Sequence, residues 1–327
     1  MEKNILVFSN GEKIGDGLIK IPLLHEIKKR LPEHKLIWMT NNGVTVYNSQ
    51  LKNIAFQYID QIIEKSELSP FFWQKISKKF DFNNVKFEYI LDTQKALLRT
   101  IALKRIQTSL FISATASFYF SDKKIKYTDK NKIRKYYLED LYDLLNLIKI
   151  DSIDQNFKIP IPNNLQNKLS KIFKKNNSYI GIAPGAGEKN KIWPIENFIE
   201  VAEYFEKKFY NLVFFLGPQE NSIKKIIKEK FPKSIFPEEN INDFSGPEIV
   251  MASTKHLSCA LANDSGVSHM LSTNLCPVLK LFGPKDSSKF TPIKNTLHTI
   301  SAKEFGSNNI EVIKSKIVIN KMEKLLS

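Results

Sequence analysis

Short β-branched and apolar runs alternate with longer stretches of helical spacing along this 327-residue chain, and the rhythm breaks once. In the first half, Ile5 to Ser9, Leu36 to Thr40, Tyr89 to Asp92 and Leu110 to Ser113 read as strands, and Leu18 to Leu31 as a helix. Alternation of this kind specifies parallel βαβ units rather than hairpins. Tyr136 to Ile150 places Leu138, Leu141, Tyr142, Leu145 and Ile148 at helical spacing and closes the set. The break is Ile159-Pro160-Ile161-Pro162-Asn163-Asn164, where X-Pro steps force extended chain. The rhythm then restarts: strands Tyr179 to Ala183, Leu212 to Leu216, Cys259 to Ala262 and Val278 to Phe282, with helices Ile195 to Lys208, Ser222 to Lys230 and Ser268 to Ser272. The expected organisation is an N-terminal domain over 1–158, a linker and connecting helix over 159–177, and a C-terminal domain over 178–327. The last of these ends in an amphipathic helix, Glu311 to Leu326, able to pack back across the hinge. Two α/β domains in tandem place ligands at the carboxyl ends of their strands, in a cleft between them.

Composition removes several classes. With 42% hydrophobic and 25% charged residues, the chain is neither disordered nor fibrous. No apolar stretch approaches the ~18 residues of a membrane span; Phe111 to Phe120 is interrupted by Ser113, Thr115 and Ser117. Met1-Glu2-Lys3-Asn4 leads into an apolar block too short for a secretory leader, so the expected compartment is the cytoplasm. Cys259 and Cys276, each among apolar neighbours, read as buried thiols. A formal charge of +15 favours an anionic partner: nucleic acid, an acidic membrane face or phosphorylated substrates. Its densest run is Lys123, Lys124, Lys126, Lys130, Lys132, Arg134 and Lys135, opposed by Asp122 and Asp129, which by itself reads as a solvated loop.

Chemistry concentrates in four loops that follow successive strands of the second half. Pro184-Gly185-Ala186-Gly187, then Lys189, Lys191 and Trp193-Pro194, combine glycines for close backbone approach, lysines for phosphate oxygens and a proline at a helix start. Singly this is also an ordinary strand-to-helix turn. Asn263-Asp264-Ser265-Gly266 precedes a helix start with His269, and can aim amides and a hydroxyl at an anion or merely cap the helix. His269 alone reads as a packed or hydrogen-bonded core residue rather than a ligand contact. Gly217-Pro218-Gln219-Glu220 puts a carboxylate where ribose hydroxyls could bond to it, and Leu281-Phe282-Gly283-Pro284-Lys285-Asp286 ends the fourth strand. The spacing of Gly11, Gly15 and Gly17 fits no dinucleotide fingerprint, and no P-loop is present.

Taken in order, Pro184 to Gly187, Lys191-Ile192-Trp193-Pro194, Gly217 to Glu220, Asn263 to Gly266 with His269, and Leu281 to Pro284 resemble the ADP-heptose:lipopolysaccharide heptosyltransferase family, glycosyltransferase family nine. Gly15-Asp16-Gly17-Leu18-Ile19 and Pro22-Leu23-Leu24 resemble that family's glycine-aspartate loop and following helix. The resemblance implies an α/β fold of GT-B type, two Rossmann-like α/β/α domains facing each other across a cleft. It makes Asp16 the base that takes the acceptor's proton, with Gly15 and Gly17 on the acceptor side, and Lys191 the cation on the leaving diphosphate. It assigns Gly185, Ala186, Gly187, Lys189, Trp193, Gly217, Glu220, Asp264, Ser265, Gly266 and His269 to the donor, Glu220 near its ribose. Ile192, where the family often has arginine or threonine, and Val267-Ser268 depart from its pattern.

The implied reaction is inverting transfer from a nucleotide diphosphate sugar, ADP-heptose leading, with no metal and no other cofactor. The implied acceptor is a lipopolysaccharide-core or related anionic glycolipid, and from its charge the basic run Lys123 to Lys135 is expected to help dock it at the inner membrane face. Leaving-group charge must be met by a metal, by cationic side chains or by helix N-termini, and the loops offer the last two. No obvious Asp-x-Asp pair is present, although Asp140 and Asp143 share a helix. Competing readings are a GT-B transferase with another donor, a nucleotide-sugar epimerase, and a non-catalytic sugar-nucleotide or nucleic-acid binding protein. Nucleic acid is not expected, since no RNP-like or helix-turn-helix signature occurs.

Overall fold

A computed structural model describes residues 3–125, 137–150, 154, 157–274, 276–287 and 296–327. Its chain divides into two compact units, Met1–Phe157 and Lys158–Ser327. Among the described residues no helix is long and apolar enough to cross a membrane.

The first unit holds a parallel sheet of β1 (Lys3–Ser9), β2 (His34–Thr40), β3 (Gln61–Ile63), β4 (Phe87–Asp92) and β5 (Thr108–Ser113), in the order β3-β2-β1-β4-β5. Ile5, Leu6, Val7 and Phe8 are all fully buried, as a central parallel strand covered on both faces requires. Around it lie α1 (Ile14–Arg30), α2 (Lys52–Ala55), α3 (Leu97–Leu103) and α4 (Tyr137–Asn146). The glycine-aspartate segment, read from sequence as a loop, is instead the first turn of α1. Gly17 is a packing glycine: a Cβ there would lie 2.6 Å from Val46 Cγ2, and its carbonyl accepts from Tyr47 Oη at 2.7 Å. Of the basic run 123–135, positions 126–135 lie outside the described residues; Lys123 donates to the Leu147 carbonyl at 3.3 Å.

In the second unit the sheet comprises β6 (Tyr179–Ala183), β7 (Asn211–Phe214), β8 (Cys259–Asn263), β9 (Val278–Phe282) and β10 (Leu297–Ser301), ordered β10-β9-β8-β6-β7 and again parallel. Its helices are α5 (Asn163–Ile172), α6 (Ile195–Lys207), α7 (Asn221–Lys230), α8 (Gly246–Ser253), α9 (Gly266–Leu271) and α10 (Ser315–Leu326). Helix α5 lies within the segment expected to be linker and connecting helix, with Pro162 as its N-cap. Phe198, Val201, Ala202 and Phe205 recur at i, i+3, i+4 and i+7 on α6, all fully buried, each worth about 1.5–3 kcal/mol for the larger side chains. The face of α10 made by Val318, Ile319 and Met322 joins that same cluster, and Ser315 Oγ donates to Glu200 Oε2 of α6 at 2.7 Å. The closing helix therefore spends its apolar face within the second unit, because α6 presents the complementary stripe. Cys259 and Cys276 are buried thiols, and burial pushes Cys259 up to about 12.

Where the strand order of the first unit reverses, between β1 and β4, polar groups gather at the carboxyl ends. Thr93 Oγ1 donates to the Phe8 carbonyl at 2.7 Å. Asp92, 1% exposed, accepts from Thr100 Oγ1 at 2.7 Å, Ser113 Oγ at 2.8 Å and the Gln94 amide at 2.9 Å. Burial outweighs these bonds and raises Asp92 from 3.8 to about 6. Because Asp92 holds its proton more tightly when folded, its contribution to stability is complete below about 3.8 and is lost as pH rises through about 6. The loss is about 3 kcal/mol at neutral pH. Asp92→Asn should therefore raise the urea midpoint at pH 7.5 relative to wild type and flatten the fall in stability between pH 4 and 6.5. Parallel pH profiles for the two proteins would show that another group sets the slope.

Candidate functional site

In the second unit the strand order also reverses once, between β6 and β8, and such a point opens a crevice at the carboxyl ends of the two strands. The Asn263 side chain spans it. Its Nδ2 donates to the Pro184 carbonyl at 2.6 Å and its Oδ1 accepts from the Trp193 amide at 3.2 Å, fixing both ends of the Gly185–Gly187 loop. Trp193, assigned from sequence to the donor, is wholly buried in the core cluster, with Nε1 donating to the Ile313 carbonyl at 2.8 Å. Its side chain holds the loop and offers a ligand no surface. Pro194 is the N-cap of α6 rather than its first residue.

Gly185 and Gly217 share a single reason for being glycine. A Cβ on Gly185 would lie 2.5 Å from Glu220 Oε1, and one on Gly217 2.7 Å from Glu220 Oε2. The room over both backbones is taken by the Glu220 carboxylate, which sits at the N-cap of α7 and reaches back between the loops after β6 and β7. Nothing would meet a Cβ at Gly187 within 4 Å. Ala186 is half-buried, while Gly187 and Lys189 are exposed at the mouth.

Lys191 closes the short 3-10 turn Lys189–Lys191. Its ammonium lies 2.8 Å from Asp264 Oδ2 and 3.4 Å from Glu188 Oε1. Asp264 is buried, and the Lys191 ammonium beside its Oδ2 is both its partner and its counter-charge. Burial alone would lower Lys191, but the bond and charge of Asp264 outweigh it, and the pKa is raised. The loop after β9 adds Lys285, whose Nζ lies 3.1 Å from Glu188 Oε1. Gly283 permits this approach, since a Cβ there would lie 2.8 Å from the Asn190 carbonyl oxygen. Lysine hydrogen bonding and charge hold the Glu188 carboxyl low.

Ser265 is the N-cap of α9 in a reciprocal capping box with Ser268, so its hydroxyl serves the helix; Gly266 is the first helical residue. His269, half-buried on α9, has its pKa pushed well down by burial, with Lys280 and Lys191 adding to the effect, and is neutral at physiological pH. Lys280 is the residue that sequence reasoning missed. It is 1% exposed on β9, in register with Ala262 of β8. Alternation along the strand puts Ala262 and Asp264 on the face that Lys280 shares. Burial lowers Lys280 to about 8, with the Asp264 charge opposing. Three lysines (191, 280, 285) against two carboxylates (188, 264) leave the cluster one net positive charge, an arrangement suited to a diphosphate.

The first unit carries the other sequence-assigned group. Asp16 is exposed in the first turn of α1, where the helix dipole favours a carboxylate, and Gly15 is buried beside it. Glu12, just ahead of the helix, and Lys20, one helical turn after Asp16, are both buried. Lys20 Nζ donates to Ser9 Oγ at 2.9 Å, lies 3.6 Å from Glu12 Oε1 and sits 5.5 Å from the Trp38 ring centroid. Burial lowers Lys20, while Glu12 and then Asp16 raise it. Gln94 Nε2 reaches the same Ser9 hydroxyl at 3.4 Å, linking this cluster to a cavity of about 230 Å³ lined by Asp92, Gln94, Lys95, Asp140 and Leu144. Asp140 is paired with Lys95 at 3.0 Å. The Asp92-Thr93-Gln94 run at a strand end is the sequence signal of this cavity.

Comparison with known proteins places these loops in a family. Lipopolysaccharide core heptosyltransferase OpsX of Haemophilus influenzae is 20% identical over 312 residues, covering 91% of this chain and 86% of its own. The solved glycosyl transferase family 9 protein of Veillonella parvula superposes with a TM-score of 0.70 at 19% identity, over 99% of this chain and 97% of that one. E. coli heptosyltransferase WaaC, solved with ADP-2-deoxy-2-fluoro heptose, gives 0.66 at 14% identity over 98% and 99%. At these identities the solved structures speak for a shared fold. The model of glycosyltransferase family 9 (heptosyltransferase) matches residues 82–316, which takes in β4, β5 and the loops after β6, β7, β8 and β9, and the chain belongs to that family.

Proposed function

We propose that this glycosyltransferase moves heptose, with inversion, from ADP-heptose to a lipopolysaccharide-core or related anionic glycolipid, at the cytoplasmic face of a membrane and without a bound metal. The observation that carries the reading is the Lys191–Asp264 pair at the β6/β8 switch point, backed by Lys285 and the buried Lys280. The donor assignment is supported by the adenosine diphosphate sugar analogue named with the E. coli neighbour, and the acceptor by the name of the Haemophilus relative.

In this reading the acceptor oxygen attacks the anomeric carbon, its proton passes to Asp16, and the anomeric C–O bond breaks with its electron pair going to the diphosphate. Charge developing on that leaving group meets Lys191, Lys189 and Lys285, and Glu220 accepts hydrogen bonds from the ribose. Asp264 keeps the Lys191 ammonium in place, and Lys280 keeps Asp264 compensated when the diphosphate shares Lys191. Asp16 suits a base that works by position: it is exposed, and the Glu12–Lys20 pair behind it is internally balanced.

A panel of nucleotide diphosphate sugars, scored for nucleotide diphosphate release with and without glycolipid in excess chelator, tests the proposal. ADP-heptose should be turned over, with Asp16→Ala slower by about 10²–10⁴-fold and Lys191→Ala by about 10²–10³-fold. Normal turnover by Asp16→Ala removes the base assignment; preference for a uridine donor replaces the donor; loss of activity in chelator ends metal independence.

A second outcome follows from Lys280, which is charged below about 8 and neutral above it. ADP affinity should weaken as pH rises through about 8, a window in which Lys191 stays charged and His269 stays neutral. Lys280→Met should bind ADP several-fold more weakly at pH 7 and lose that dependence, measured by calorimetry. A wild-type affinity flat from pH 7 to 9 would sink the role given to Lys280.

A further inference from the structure

Aromatic residues from Phe80 to the start of β4 are spent inside the first unit: Phe82 and Phe87 are buried, and Phe80 packs against that cluster with its ring 4.6 Å from Phe82. Phe71, Phe72 and Trp73 are not; they are 47%, 84% and 67% exposed. Phe71 and Trp73 stack with centroids 4.9 Å apart, and Phe72 stands edge-on to Trp73 at the same distance. Three contiguous rings stacked on one another form a patch, which scattered surface residues do not.

The turn beneath them is tied at its base. Leu68 and Ser77 form an antiparallel bridge, the Ser69 amide donates to the Ile76 carbonyl at 2.9 Å, and the Gln74 amide to the Phe71 carbonyl at 3.1 Å. Arg105 grips both sides, Nη1 donating to the Ser69 carbonyl at 2.6 Å and Nη2 to that of Gln74. Lower down, the amides of Ser66 and Leu68 donate to the Thr40 carbonyl at 3.0 Å and to Asn41 Oδ1 at 2.7 Å, at the end of β2. Lys65 and Glu67 hold left-handed backbone (φ 52° and 50°), a conformation that persists only where surrounding bonds fix it. The rings are thus held outward by a bonded stem.

Charge chooses the occupant. Between Leu68 and Phe80 the ionisable residues are Lys75, Lys78 and Lys79, all cationic. Lys79 is paired with Glu67 at 2.8 Å, whereas Lys75 and Lys78, two and five residues after Trp73, are exposed, in a chain of net charge +15. Indole and phenyl rings settle in the headgroup layer of a bilayer, and lysines flanking them meet anionic headgroups. We propose that the 69–75 turn docks the first unit on an anionic bilayer, Phe72 and Trp73 entering the headgroup layer and Lys75 and Lys78 meeting lipid phosphates. The inference rests on the glycolipid reading above, since an acceptor of that kind lies in such a surface.

The chain has three tryptophans, of which Trp38 and Trp193 are wholly buried, so a change in emission on adding lipid belongs to Trp73. The full chain is mixed with vesicles of phosphatidylglycerol and phosphatidylethanolamine, and separately with phosphatidylcholine alone, and followed by sedimentation and fluorescence. Binding is expected with the anionic vesicles, with emission moving to the blue and quenched by brominated acyl chains. Phe72→Ser with Trp73→Ser should weaken sedimentation about tenfold or more, and Lys75→Ser with Lys78→Ser about fivefold per charge. All four positions are exposed, and thermal melting of each variant is the check that it folds. Equal sedimentation of the aromatic variant overturns the proposal, as does a blue shift that grows with protein concentration in the absence of lipid, which gives the patch to a second copy. Donor turnover on a soluble acceptor fragment separates the two readings. If no donor is turned over while vesicles still bind through Trp73, the glycolipid reading falls and docking stands; if turnover persists without binding, the reverse holds.

Discussion

A parallel sheet whose strand order reverses cannot cover the carboxyl ends of the two strands flanking the reversal, because the crossovers leave in opposite directions. Each unit of this chain has one such point, β1/β4 in the first and β6/β8 in the second. Chemistry-bearing side chains collect at both. In the second unit the gap is kept in shape by one side chain, Asn263, whose two bonds reach the loop after β6 at its start and its end. With those ends fixed, Lys191 is delivered to Asp264, and Gly283 lets the loop after β9 add Lys285.

Much of this was legible in the sequence, and the exceptions have physical causes. Long central strands such as Ile5 to Ser9 and Tyr179 to Ala183 were readable because burial on both faces forces continuous apolar runs. β3 has three residues and β10 lies at the sheet edge, so neither carries that signature. α8 begins Gly246-Pro247, which reads as a turn until the Ser245–Glu248 capping box is seen. Gly15-Asp16-Gly17 read as a loop because glycine is a poor helix former. Gly17 is nonetheless within α1, and it is glycine because only a hydrogen fits against Val46.

The site was legible as a set of loops and less so as individual contacts. Glu220 and Gly185 were assigned separately, but their proximity depends on β6 and β7 pairing, a fact no local pattern holds. Trp193 stood beside lysines and so read as a ligand contact, whereas its indole is the anchor of the turn. Lys280 was invisible for a different reason. Within Val278-Leu279-Lys280-Leu281-Phe282 a single cation reads as the outward side of a strand, but a strand buried on both faces has no outward side. Its presence makes sense only once Asp264 is found on the same face.

The two switch points have the same architecture and opposite charge, and that difference divides the labour proposed for them. Each contains a buried lysine, Lys20 in the first and Lys280 in the second. Lys20 has Glu12 as its own carboxylate, with Ser9 as a hydrogen-bond acceptor, so the pair is neutral and Asp16 remains as an exposed negative group. Lys280 has no carboxylate to itself, because Asp264 is already claimed by Lys191, and the surplus is positive. Proton abstraction needs a carboxylate that has not been neutralised, and a departing diphosphate needs cations in excess. A single polar exchange at either place, such as an acid added beside Lys280, would remove that opposition while leaving both sheets intact.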